Sequence, residues 1–296
     1  MLPSEFRRNI ERDDPACCTF ELTFPLLTLH FLLISDPSDP LLSDFRNVPD
    51  PELLKRRGVF VAEGRLVVRR LLTESPYATR SVMVTEPGHA ALADVLGARP
   101  DVPVYVVSPA VMREVSGFNI HRGCLAIGER PHPMAWQQAV ADARTVVLLE
   151  RVANADNIGG IFRNATAFGA RAVLLDEESA DPLYRKAIRT SMAAALVVRF
   201  ARVASATLAL LELRRAGFAT VALTPAASAS TIRSTMDTLG ARPVVVALGH
   251  EGEGLTPAAL EACEFHARIP ISASVDSLNV AAAAAIALYE CSRRIV

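Results

Sequence analysis

The chain has 296 residues, a formal net charge of −1 and a hydrophobic fraction of 51%. It is long enough to bury the cores of two domains, and it is not a globally basic nucleic-acid binder, although a local basic patch remains open. Its five cysteines, Cys17, Cys18, Cys124, Cys263 and Cys291, show no C-x-x-C spacing, which excludes a disulfide scaffold and a structural zinc site and leaves a reduced, cytoplasmic protein without metal as the expectation.

The apolar stretch 20–34 is interrupted by Pro25 and His30 and is followed by Ser-Asp-Pro. It is too short to span a bilayer and lacks a small-residue cleavage pattern, so neither export nor a membrane anchor is expected. It is either an accessory strand or a dispensable extension. Residues 35–51, punctuated by Pro and Asp, read as a boundary, with compact structure expected from about Asp50.

Strand signals follow at 58–64, 81–85, 102–107 and 123–127, with helical stretches at 65–72, 90–96 and 109–115. This alternation predicts a small α/β sandwich. Lys55, Arg56, Arg57, Arg65, Arg69 and Arg70 fall within sixteen residues that hold one acid, Glu63. Such a run is either a solvated helix face or a cationic footprint for phosphates. In the loop 116–123, Phe118 is equally suited to stacking on a base and to an ordinary core, and Arg122 could meet a phosphate.

The Pro-stiffened segment around 129–138 reads as a linker, and Trp136 is expected to seal the start of the second domain. Strands are then expected at 145–149, 171–175, 196–200, 218–223, 243–248 and 265–269, with helices at 158–168, 182–192, 207–216 and 257–262. Short Val/Leu runs alternating with helices imply a mostly parallel sheet covered on both faces. The chain therefore divides into an extension (1–33), a first domain (34–130), a linker (131–142) and a second domain (143–296).

Near the C-terminus, Ser277-Leu278-Asn279 opens an Ala-rich helix, 280–288, that is apolar on every face. It is expected to be buried on all sides, against its own domain or a second subunit. By itself, a hydroxyl and an amide at such a helix start read as simple capping. The loop Gly249-His-Glu251-Gly252-Glu253-Gly254 follows a strand directly, but its glycines are in the wrong order for a dinucleotide cradle and its two carboxylates would repel phosphate. A neutral or cationic ligand suits it better.

The stretches Glu150-Arg-Val-Ala-Asn154-Ala-Asp-Asn157-Ile-Gly159-Gly160-Ile-Phe-Arg163-Asn164, Ala247–Leu255 and Arg268–Tyr289 resemble, in this order, the three motifs of the SpoU-type, TrmH-like branch of the SPOUT RNA ribose 2′-O-methyltransferases. The resemblance implies an L30e-like α/β sandwich that grips RNA, followed by a mostly parallel α/β SPOUT domain with a C-terminal trefoil knot. It implies S-adenosylmethionine held by Leu223, Thr224, Leu248, Gly249, Glu251, Gly254, Ile269, Ser277, Leu278 and Asn279, and a homodimer. The catalytic set it implies is Asn157, Arg163, Glu251, Ser277 and Asn279. Because a guanidinium does not deprotonate in proteins, Arg163 is expected to stabilise the developing alkoxide electrostatically. Ala155, Ala193 and Ala273 depart from the family pattern, in loop shape more than in function. Two readings follow: an enzyme that methylates a ribose 2′-hydroxyl of RNA, ribosomal ahead of transfer RNA, or an RNA-binding protein whose methylase fold has lost turnover.

Overall fold

The computed structural model describes residues 19–24, 27–46, 49–117, 123–272 and 274–294. Its first sheet has six strands in the order β1-β2-β5-β4-β6-β3: β1 (Thr19–Phe24), β2 (Leu27–Ile34), β3 (Val59–Glu63), β4 (Thr79–Val84), β5 (Val104–Val107) and β6 (Cys124–Glu129). Helices α1 (Asp50–Glu52), α2 (Arg65–Thr73), α3 (Glu86–Gly97) and α4 (Pro109–Ser116) connect or flank them. Thr85 and Ser108 cap α3 and α4, each accepting a backbone N–H at N3 with a proline near the helix start, the arrangement that sequence preferences favour.

Ordered structure begins well before Asp50. β2 pairs in parallel with β5 from Phe31 to Ile34 and so carries the sheet across the boundary drawn at 33/34. Between them, the Asp/Pro-punctuated segment closes a 3-10 turn, Pro40–Phe45, capped by Asp39. Leu42 and Phe45 in that turn are fully buried. Asp and Pro signalled a turn correctly, and two apolar residues among them were enough to bind it to the core.

The second sheet has seven strands in the order β11-β13-β10-β12-β7-β8-β9, and every pairing is parallel. The strands are β7 (Thr145–Leu149), β8 (Ala172–Leu175), β9 (Arg199–Arg202), β10 (Ala219–Leu223), β11 (Ser230–Thr231), β12 (Val244–Leu248) and β13 (Phe265–Arg268). The helices are α5 (Trp136–Val140), α6 (Ala155–Ala167), α7 (Arg185–Thr190), α8 (Ala206–Arg215), α9 (Ile232–Thr238), α10 (Pro257–Ala262) and α11 (Val280–Ser292). Alternate residues of β7 serve opposite faces, as a pleated strand requires. Val147 and Leu149 pack with α6, α9 and α11, and Val146 and Leu148 with α5, α8 and α10. This is the α/β class with a mostly parallel second sheet that the element pattern predicts.

The short α7 replaces the longer helix expected over 182–192, and the strand expected at 196–200 starts at Arg199. The cause is local: Met192 and Ala193 adopt left-handed φ of 54° and 68°, which ends the helix and forces a 3-10 turn, Ala194–Leu196, before the strand. Ile188, Ala193 and Leu196 share a core with Phe60, Val68 and Leu71 of the first sheet's layer. Arg70 Nη1 donates to Met192 O and Arg185 N to Asp50 Oδ2 across this seam. No helix of the described residues is long and apolar enough to cross a membrane.

Candidate functional site

All strands of the second sheet point the same way, so their carboxyl ends share one edge. β7 is flanked by β12 on one side and β8 on the other, the reversal of strand order at which open parallel sheets leave a crevice. A cavity of about 300 Å³ lies at that edge. Leu223, Thr224, Leu248, Gly249, Glu251, Gly254, Ile269, Ser277 and Leu278 all line it. Asn279 stands just behind, capping α11 by accepting the N–H groups of Ala281 and Ala282. The lining residues include two carboxylates and no lysine or arginine, an electrostatic character that disfavours a phosphate and admits a cation.

A chain of side-chain amides joins the three motifs. Asn279 Nδ2 donates to Asn157 Oδ1 at 2.8 Å, and Asn157 Nδ2 donates to Glu251 Oε1 at 2.7 Å. An ionised carboxylate accepts only, so Glu251 fixes which way the buried Asn157 amide points, and Asn157 in turn fixes Asn279. The glycines of α6 make this meeting possible. A Cβ on Gly159 would sit 2.6 Å from Ala187 O, and one on Gly160 would sit 2.8 Å from Ala281 Cβ, so α7 and α11 both approach α6 more closely than a side chain permits. Asn164 Nδ2 donates to Ala281 O, locking the same contact. Arg163 is on α6 but does not line the cavity. It is exposed, and among the described residues no hydrogen bond or ion pair holds it.

The glycine loop is shaped by its own backbone and by β7. His250 and Gly254 exchange N–H to O bonds of 3.1 and 2.9 Å, and a Cβ on Gly249 would meet Gly254 C at 2.2 Å. His250 Nδ1 accepts the N–H groups of Gly252 and Glu253. Glu150, buried at the end of β7, accepts Thr256 N–H at 2.8 Å and its hydroxyl at 2.9 Å, and Arg151 reaches Glu253 and Gly254 O. Spacing and composition leave Glu150 and Arg151 unmarked as supports, because their partners are a hundred residues away. Beside them Asp156, hydrogen-bonded by Lys186 and Thr190, is held below the usual carboxylate range.

Several cations of the first domain have partners within the chain. Arg57 pairs with Asp44, Arg69 with Asp94, and Arg70 with Glu74 and the seam carbonyl of Met192. Arg65 lies against the Cys124 thiol. Lys55 and Arg56 are exposed, with no hydrogen bond or ion pair to other described residues. Phe118 and Arg122 lie outside the described residues.

Residues 144–289 match the model of the SpoU rRNA Methylase family. A protein of Mycobacterium bovis named as an uncharacterized tRNA/rRNA methyltransferase is 40% identical over 264 residues, 88% of this chain and 91% of that one. An rRNA methyltransferase from Sinorhizobium meliloti, solved with bound AdoMet, superposes with a TM-score of 0.76 at 23% identity, covering 90% of this chain and 99% of that one. A solved RNA 2′-O ribose methyltransferase gives a TM-score of 0.72 at 26% identity over 89% of this chain and 99% of that one.

Proposed function

We propose, because this chain belongs to the SpoU rRNA methylase family, that it is an enzyme transferring a methyl group from S-adenosylmethionine to a ribose 2′-hydroxyl of RNA, ribosomal RNA ahead of transfer RNA. The observation that carries the reading is the convergence of Asn157, Glu251 and Asn279 beside a cation-free cavity at the sheet's carboxyl edge. A binding module that had lost turnover would have no need of that hydrogen-bonded chain. The cavity's apolar walls, glycine loop and carboxylates suit a nucleoside that carries a sulfonium and no phosphate, and the bound group supplies the electrophilic methyl. Glu251 orients Asn157 and Asn157 orients Asn279, while Ser277 presents its hydroxyl at the rim. Arg163 supplies fixed positive charge to the 2′-oxygen as it becomes anionic.

The same reading threads the C-terminal segment as a trefoil knot and assigns RNA gripping to the L30e-like first sheet. It also pairs two copies through α11, where Ala282, Ile286 and Tyr289 form an exposed stripe. The helix is thus buried in its own chain on only part of its circumference, and of the two covers expected for it, its own domain or a second subunit, the stripe is left to the second subunit.

Calorimetry should give a binding isotherm with S-adenosylhomocysteine and none with NAD. Ribosomal RNA incubated with the protein and methyl-labelled S-adenosylmethionine should retain the label in an alkali-resistant dinucleotide, since a methylated 2′-oxygen cannot attack its phosphodiester. Label released on a base, or NAD bound in place of S-adenosylhomocysteine, would end this reading.

Among the cations of the first domain, Lys55 and Arg56, exposed and without an ion pair to other described residues, are the first to carry salt-dependent RNA affinity. Replacing both by Ala should reduce the slope of log affinity against log salt by roughly 0.7 to 0.9 per contact, with the single-turnover rate at saturating RNA unchanged. An unaltered slope would make them an ordinary solvated face.

A further inference from the structure

The connector between β7 and α6 grips the glycine loop at three points: Glu150 at Thr256, Asn157 at Glu251, and Arg151 at Glu253 and Gly254. The first two each have a buried partner, Glu150 being 6% and Asn157 8% exposed, although Glu251 itself is exposed. The third has none, the Arg151 side chain being 24% and the Glu253 side chain 70% exposed. Arg151 is also costly to keep. It is one of three non-glycine residues with left-handed φ among the described residues, at 59°, and its Nε is buried without a hydrogen-bond partner. The connector itself does not require the guanidinium, because Arg151's backbone N–H is already taken by Asp176 Oδ2. A strained residue with an incompletely satisfied side chain, reaching over the loop of a cavity, is the kind of outlier that accompanies function.

We propose that Arg151 is a positioning residue of the cavity. Its ion pair with Glu253 is a clasp that holds loop 249–254 over a bound ligand and opens to release it, while the Glu150 and Asn157 grips stay made on either side. This rests on the reading of the cavity as the S-adenosylmethionine site. A solvent-exposed pair is weak and salt-sensitive, which suits a contact that must break in each catalytic cycle.

Stopped-flow release of S-adenosylhomocysteine from the full chain tests it, with Arg151→Met, Glu253→Gln and the double variant measured at low and high salt. Each single variant should release the ligand about two- to fivefold faster, and the double variant no faster than either single one. High salt should accelerate release from the wild type alone. The melting temperature of Glu253→Gln should equal that of the wild type, a separation of ligand kinetics from stability that a merely structural pair would not give. Wild-type release rates in both single variants, single effects that multiply in the double variant, or an equal salt response in all four proteins would overturn the clasp while leaving the cavity's assignment intact. Failure of the wild type to bind S-adenosylhomocysteine at all would remove both.

Discussion

Arg163→Ala should slow single-turnover methylation by about 100-fold or more, the size of effect seen when a donor to a developing oxyanion is removed. That loss corresponds to about 2.7 kcal/mol of transition-state stabilisation. Affinity for S-adenosylmethionine should stay at the wild-type value, because Arg163 does not line the cavity and the loss falls on the reacting state alone. Two features of the fold make the variant interpretable. The helix carrying Arg163 is pinned independently by Asn157 and Asn164, and the side chain is exposed, so its removal leaves no buried partner uncompensated. Arg163→Lys keeps the charge but loses the planar fork and should retain partial turnover. The measurement is methyl transfer at saturating enzyme, with cofactor affinity determined separately by calorimetry. Wild-type turnover in Arg163→Ala would reduce the motif to a structural one and bring forward the RNA-binding protein without turnover.

Ala284→Asp should cost on the order of 3–5 kcal/mol of folding stability, the penalty for a buried charge with no partner. Ala284 is 0% exposed within its own chain and sits in the core that α11 shares with α6 and β12, so the effect belongs to the fold and not to assembly. Ile286, at 37% exposed on the outer stripe, offers the contrast. Ile286→Asp should leave the unfolding free energy of dilute protein, from urea titration, within about 0.5 kcal/mol of the wild type, as for other surface changes, and should abolish dimerisation in light scattering. If both variants unfold alike, the stripe is not a separate interface. A wild type that scatters as a monomer at micromolar concentration would remove the proposed homodimer.

Much of this was legible in the chain itself. Uninterrupted Val/Leu runs such as Thr145–Leu149 and Val244–Leu248 can be buried on both faces only in a parallel sheet covered by helices. The glycine loop and the polar start of α11 stood out because glycine, carboxylate and amide at strand and helix ends are local signals. The order of the three motifs was enough to name the family. Other elements were hidden for equally local reasons. β11 and α9 arise from a Ser/Thr-rich stretch, Ser230–Thr238, with little periodicity of its own, and they are held by packing of Ile232 and Met236 in the core.

What the tertiary structure alone decided is which of these signals meet. Asn157, Glu251 and Asn279 are separated by 94 and 122 residues in their two hydrogen bonds, and no periodicity relates them. The meeting depends on Gly159 and Gly160 having no side chain, so that α7 and α11 can close on α6. Part of the pairing of the first domain's cations was likewise invisible: Glu74 is a local i,i+4 partner of Arg70, but Asp94 and the Met192 carbonyl reach Arg69 and Arg70 only through helix packing and the seam between the sheets. Hydrophobic period and turn chemistry are properties of neighbouring residues and can be read from sequence. Ion pairing and hydrogen-bond partnership act over about 3 Å between segments distant in the chain, so only the folded arrangement assigns them.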